Sequence, residues 1–137
     1  PTGGEGFGIP ALEAMSCGKP NVICNYTTSY ELVGADKPEC PENMLQPHGE
    51  DGDDNLIQTN RGFLVPYKDL MWDTPIRAAP QRSLWDEQKA AEAFTTYYND
   101  RELCKKHGEN ARKHAVKYYD WKPVGKKWMQ WIKKVSR

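Results

Sequence analysis

The first fifteen residues constrain this chain more than any other stretch. Pro1-Thr2-Gly3-Gly4-Glu5-Gly6-Phe7-Gly8-Ile9-Pro10 runs into Ala11-Leu12-Glu13-Ala14-Met15. A glycine-rich turn therefore feeds a segment with proline where a helix should begin. Glycine lets a backbone turn tightly and approach a ligand closely. Proline is tolerated at the first helical positions, where its missing N–H would lack a partner anyway. The helix that follows aims its unpaired N–H groups and positive dipole end at the turn, which makes an anion site. Glu13 lies about one turn into that helix and can face the same cleft as Glu5. An anion flanked by hydroxyl-binding carboxylates describes a ligand made of sugar, pyrophosphate and ribose.

The next signals read as α/β. The helix over Pro10 to Cys17 should stop at Gly18, a residue suited to a left-handed cap. Pro20 to Cys24 is a short apolar run fit for a parallel strand covered on both faces. Thr28-x-x-Glu31 has the form of a capping box for a brief helix through Val33, stopped by Gly34. Residues 35–60 are rich in Pro, Gly, Asp and Asn, show no period, and are longer than most connections; they read as an insertion loop. Within them Asp51-Gly52-Asp53-Asp54-Asn55 lacks the glycine and glutamate positions of a calcium loop and reads as a solvated acidic turn. Gly62 to Val65 is a second strand. Pro66 to Arg82 reads as irregular, with Pro75 and Pro80 as breakers.

Three helices should close the chain. Ser83 can cap the first, with Leu84, Ala91, Phe94 and Tyr98 at helical spacing. Asp100 can cap the second, with Leu103, His107, Ala111 and Ala115 on one face. Asp120 can cap the third, where Trp121, Val124, Trp128, Ile132 and Val135 form an apolar stripe. Two strands are few for a sheet, so the remaining strands and a partner domain are expected upstream. Strand, helix and strand before a helical tail match the back half of a doubly wound domain, which binds ligand at the carboxyl ends of its strands.

The chain's 137 residues carry zero net charge, which hides a split. Residues 101–137 hold twelve Lys/Arg against three Asp/Glu, and the first hundred residues carry the opposite excess. Two readings of the basic, aromatic tail stay open. Its tryptophans share a stripe with Val124 and Ile132, which favours a core face with lysines on the wet side. The same composition also suits a membrane-surface or RNA contact. Cys17, Cys24, Cys40 and Cys104 form no C-x-x-C pair, and His48, His107 and His114 have no ligand spacing. Cys17 and Cys24 read as small buried hydrophobes, no metal site is expected, and a reduced cytoplasmic setting follows. Lys19, just past the first helix, suits the negative end of its dipole rather than a ligand.

The opening run resembles the Glu-x7-Glu motif of retaining glycosyltransferases of the GT-B fold, especially glycosyltransferase family 4 (glycosyl transferases group 1). Ser16-Cys17-Gly18-Lys19-Pro20-Asn21-Val22-Ile23 resembles that family's helix end and following strand. Arg61-Gly62-Phe63-Leu64-Val65-Pro66 resembles its "G-x-L-V-P" strand, and the stretch from Ser83 onward resembles its closing helices. The resemblance implies that residues 1–137 are the C-terminal portion of a Rossmann-like nucleotide-sugar-binding domain, with the N-terminal acceptor domain absent. It implies a catalytic role for Glu5 beside the donor sugar and ribose binding by Glu13. Gly4, Gly6, Phe7, Gly8 and Ile9 would complete the donor site through their backbone.

The implied reaction moves a sugar, with retention, from a UDP- or GDP-type donor to an acceptor hydroxyl on a glycan, lipid or protein, without a metal or other cofactor. By itself such a fragment should bind donor weakly and turn nothing over. Peripheral membrane contact through the basic C-terminal helices is a further expectation. Two alternatives stand beside this reading: a non-catalytic nucleotide-sugar-binding remnant, and a basic-tailed module for membrane or RNA.

Overall fold

A central strand, Gly62–Val65, organises the molecule. The computed structural model describes residues 6–34, 55–72 and 81–136. In chain order they form α1 (Ile9–Ser16), β1 (Asn21–Cys24), a π-helical turn (Tyr30–Gly34), β2 (Ile57–Gln58) and β3 (Gly62–Val65). Then come β4 (Tyr67–Trp72), β5 (Gln81–Trp85), α2 (Glu87–Asn99), α3 (Arg101–Tyr118) and α4 (Trp121–Val135). The described residues are thus mixed α/β with two small sheets. The larger has the order β1-β3-β2. β1 runs parallel to β3 with Asn21 opposite Gly62 and Cys24 opposite Val65. β2 is antiparallel to β3 at the other edge.

All four residues of β3 are buried, as expected for a strand covered on both faces. Successive side chains of a strand point to opposite sides, and the two cores follow that alternation. Leu64 packs with Met15, Leu32, Val33, Ala111 and Ala115, joining α1, the π-helical turn and α3. Phe63 packs with Ala93 and Tyr97 of α2, with Val22 and Leu103 alongside. Gly62 is needed where the strands start, because a Cβ there would sit 2.1 Å from the Asn21 carbonyl oxygen.

Several expectations meet the structure directly. Gly18 takes a φ of 68° after α1, the left-handed conformation that glycine adopts without strain. Asp100 caps α3, accepting from the Leu103 N–H at 2.8 Å, and Asp120 caps α4, accepting from the Lys122 N–H at 2.8 Å. His107, Ala111 and Ala115 are buried on the expected face of α3.

Others need correction. Residues 67–72 and 81–82, expected to be irregular, and residues 83–85, expected to open a helix, pair as an antiparallel hairpin. Pro75 and Pro80, read as breakers, lie outside the described residues. Ser83 is consequently not a cap but a buried β5 residue, its hydroxyl 3.2 Å from Cys24 Sγ. Asp86 caps α2 instead, accepting from the Lys89 N–H at 2.9 Å. The helix therefore buries Ala90, Ala93 and Tyr97, while Leu84, Phe94 and Tyr98 stay exposed. Ala93 and the Tyr97 ring meet Phe63, the two rings edge-on with centroids 4.9 Å apart, while Phe94 and Tyr98 face outward.

The capping-box helix is a π-helical turn. Cys24 is buried as expected, but Cys17 is exposed, because it sits just past α1, whose inward residue is Met15. The apolar stripe of α4 is not core, since no residue of that helix is buried. Of the stretch read as an insertion, Ile57–Gln58 pairs with β3; residues 35–54, including Cys40, His48 and Asp51 to Asp54, lie outside the described residues.

Behind Phe63 the Tyr97 hydroxyl and His107 Nδ1 share a hydrogen bond of 2.8 Å. Burial, then Lys106, pushes the His107 pKa below its usual 6.5, with Asp100 opposing. The unfolded chain therefore binds more protons near that pH, and folding stability rises with pH there. The His107 contribution should be complete above pH 6.5 and lost as pH falls through the depressed folded value. Thermal melts should show the midpoint falling on acidification below that pH, and His107→Gln should flatten that part of the curve.

Candidate functional site

The glycine turn meets the sheet at the carboxyl end of β1. Gly8 is the N-cap of α1 and takes φ 84° and ψ 46°, a left-handed conformation. No side chain caps this helix, and Pro10 stands in its first turn. The helix starts from backbone alone, with Leu12 N–H donating to the Gly8 carbonyl at 3.1 Å. An uncapped N-terminus keeps unsatisfied N–H groups and a partial positive charge, the two features that draw anions.

Gly8 is buried under the loop that leaves β1. A Cβ added to it would lie 2.8 Å from Leu32 Cδ1 and 3.8 Å from Thr28 Oγ1. The turn therefore sits against Thr28 and Leu32. The residues between β1 and Thr28 have their own signs of constraint. Thr27 has a φ of 54°, a conformation that costs a β-branched residue energy and tends to occur at functional sites. Asn25 donates its N–H to the Val65 carbonyl at 2.7 Å. Its side-chain oxygen is buried with no partner among the described residues.

Of the residues expected to form a site, Gly6, Phe7, Gly8, Ile9 and Glu13 lie on one continuous turn and helix. Phe7, Ile9 and Glu13 are solvent-exposed. Gly4 and Glu5 lie outside the described residues, so the placement of Glu5 against Glu13 does too. Lys19 follows the other end of α1, with its N–H donating to the Ala14 carbonyl.

Sequence reasoning missed one contact of the turn. Tyr119, at the end of α3, sets its ring edge-on to Phe7 with centroids 5.8 Å apart. Its hydroxyl donates to Glu31 Oε1 at 3.2 Å. Burial, then the Glu31 carboxylate, pushes the Tyr119 pKa well up, so the phenol keeps its proton and remains a donor. The C-terminal helices thus brace the turn through one aromatic contact. No periodicity signals such a link; Tyr119 read only as part of the basic, aromatic tail. Asn25 and Thr27 gave no motif either, although a polar run directly after a buried strand is where a doubly wound sheet meets ligand. Among the described residues no three His, Cys, Asp or Glu side chains cluster closely enough to hold a metal. No described helix is long and apolar enough to cross a membrane.

Over 30 residues the chain is 63% identical to the O-antigen chain mannosyltransferase B of Escherichia coli, a match spanning 22% of this chain and 8% of that relative. No family model matches the chain, and no solved structure matches it. The likeness is to a segment of a glycosyltransferase.

Proposed function

We propose that this chain is the donor-binding part of a retaining glycosyltransferase of the GT-B type, in which the turn at Gly6–Gly8 and the start of α1 hold a nucleotide diphosphate sugar. The observation that carries the reading is the 63% identity to a mannosyltransferase segment. The parallel β1–β3 pair with helices packed on both faces is compatible with the back half of a Rossmann-like domain. The named relative makes mannose the first sugar to test, on UDP or GDP.

In this reading the amides from Phe7 to Ile9 and the α1 dipole stabilise the diphosphate as its bond to the sugar breaks. Donors already aimed at developing charge need no reorganisation during reaction, which is the main source of such stabilisation. Glu13 accepts from the ribose hydroxyls and Glu5 contacts the sugar near the reacting carbon. Phe7 and Ile9 are exposed and offer apolar surface at the start of the helix that carries Glu13. The acceptor and the residues that choose it are supplied by other parts of the enzyme.

Titration calorimetry on the full-length gene product tests the assignment. Glu13→Ala should weaken nucleotide sugar and free nucleoside diphosphate alike, by about 0.5–1.5 kcal/mol per lost hydrogen bond. Glu5→Ala should spare the free diphosphate and lower turnover. Absence of binding by UDP, GDP and their sugars to the unaltered protein would sink the reading.

A further inference from the structure

The last helix carries a surface that the donor site does not use. α4 projects from Asp120, and only Pro123, Val124 and Gly125 are even half-buried. Its large apolar side chains face solvent: Trp121 is 84% exposed, Trp128 58%, Trp131 56% and Val135 58%. They are not scattered. At 3.6 residues per turn, Trp121, Val124, Trp128, Trp131, Ile132 and Val135 fall within a sector of roughly 100°. Lys127 and Lys134 lie roughly 40–60° beyond one edge of that sector, and Lys122, Lys126 and Lys133 lie on the opposite face, so all five cations share the polar side of the helix. The helix contains no Asp or Glu.

We propose that α4 docks flat on an anionic lipid surface, with its tryptophan sector in the boundary between headgroups and acyl chains. The inference is independent of the donor-site assignment. Three features of the helix select a lipid occupant. First, tryptophan has an apolar body and a polar N–H, and so prefers the membrane–water boundary to either side alone. Second, Lys127 and Lys134 stand beside the apolar sector and can keep their charge in water while their stems lie along the surface, and the other three lysines occupy the wet face. Five cations without an acid complement a negative leaflet. Third, Val124, Ile132 and Val135 share the sector with the tryptophans. Aliphatic side chains gain from burial in acyl chains and cannot stack on bases, which separates this face from an RNA-binding one. A helix with these two faces lies in the plane of the interface rather than across it.

Cosedimentation of the chain with vesicles decides the matter. Vesicles of phosphatidylcholine and phosphatidylglycerol in equal parts should bind it, with blue-shifted tryptophan emission, and phosphatidylcholine alone should bind it at least about tenfold more weakly. Trp128→Ala with Trp131→Ala should reduce partition into the mixed vesicles by at least about tenfold. Lys127→Glu with Lys134→Glu should do the same and remove most of the salt dependence. Neither pair touches a buried residue, so far-UV circular dichroism and melting temperature should not change. Three results would each overturn the proposal: equal binding to both vesicle types or to neither, partition insensitive to both variant pairs, or a single-stranded RNA bound more tightly than the mixed vesicles. A stable dimer that buries Trp128 and Trp131 in the absence of lipid would overturn it too.

Discussion

Gly108→Val should be the most damaging single substitution in this protein. A Cβ at Gly108 would lie 2.1 Å from the Gly18 carbonyl oxygen and 3.3 Å from Pro20 Cδ. The obstacle is backbone, held by a left-handed residue and a proline, so it cannot swing aside as a side chain would. Helix propensity favours alanine over glycine by about 1 kcal/mol, but overpacking commonly costs about 1–3 kcal/mol and occasionally more. The steric term should win. Gly108→Ala should therefore be destabilising despite better propensity, and Gly108→Val more so, since its branched side chain adds two further methyls. Thermal melts of the three proteins would show midpoints falling in that order. A midpoint for Gly108→Ala at or above that of the unaltered protein would mean that α3 and the α1–β1 link are not in contact.

Gly8→Val should come second and should reach the site as well as the fold. A side chain at a positive φ costs about 1–2 kcal/mol on backbone grounds. Displacing Leu32 from a core in which it is 2% exposed adds about 1–3 kcal/mol more. Relief of the clash has to move either the buried Leu32 side chain or the turn itself, and the turn carries the candidate ligand groups. The expected result is a lower unfolding midpoint together with loss of nucleotide diphosphate binding. Gly6→Ala is the control, because a Cβ at Gly6 would meet nothing within 4 Å. Calorimetry and a melt on each variant would separate the two positions. Equal losses from both would show that flexibility of the run matters rather than the conformation of Gly8.

What could be read from the residues alone followed the length scale of the forces involved. Local signals were legible: Gly18 ends α1 in the left-handed conformation, and Asp100 and Asp120 cap their helices. Both strands of the parallel pair were visible as short apolar runs. Interactions between distant residues were not. Phe94 and Tyr98 repeat at helical spacing, yet the helix buries Ala90, Ala93 and Tyr97 instead, because the face it turns inward is set by packing on Phe63 of a distant strand. The hairpin was hidden because its residues 67–72 do not alternate cleanly between buried and exposed, and two prolines nearby outweighed the weak strand pattern. The stripe on α4 was legible as a stripe but read in favour of a core face, whereas no residue of that helix is buried; spacing alone does not state what covers a face. At the site, a helix start and a glycine turn were legible, whereas Tyr119 and Glu31 meet across most of the chain and left no mark on spacing.

The pairing of Asn21 with Gly62 has a consequence in time rather than in space. Parallel neighbours cannot be joined by a tight turn, and a long loop must lose its freedom before the first contact between these strands is formed. α2 and α3 need only near neighbours and can start at once on the microsecond scale. Closing the sheet should therefore set the pace of folding, as topologies rich in distant contacts do. Until β3 arrives, both of its covering layers lack their common wall, and Leu32, Val33, Ala93 and Tyr97 remain open to wrong partners. The candidate turn at Gly8, resting on Leu32, would be among the last parts of the molecule to take shape.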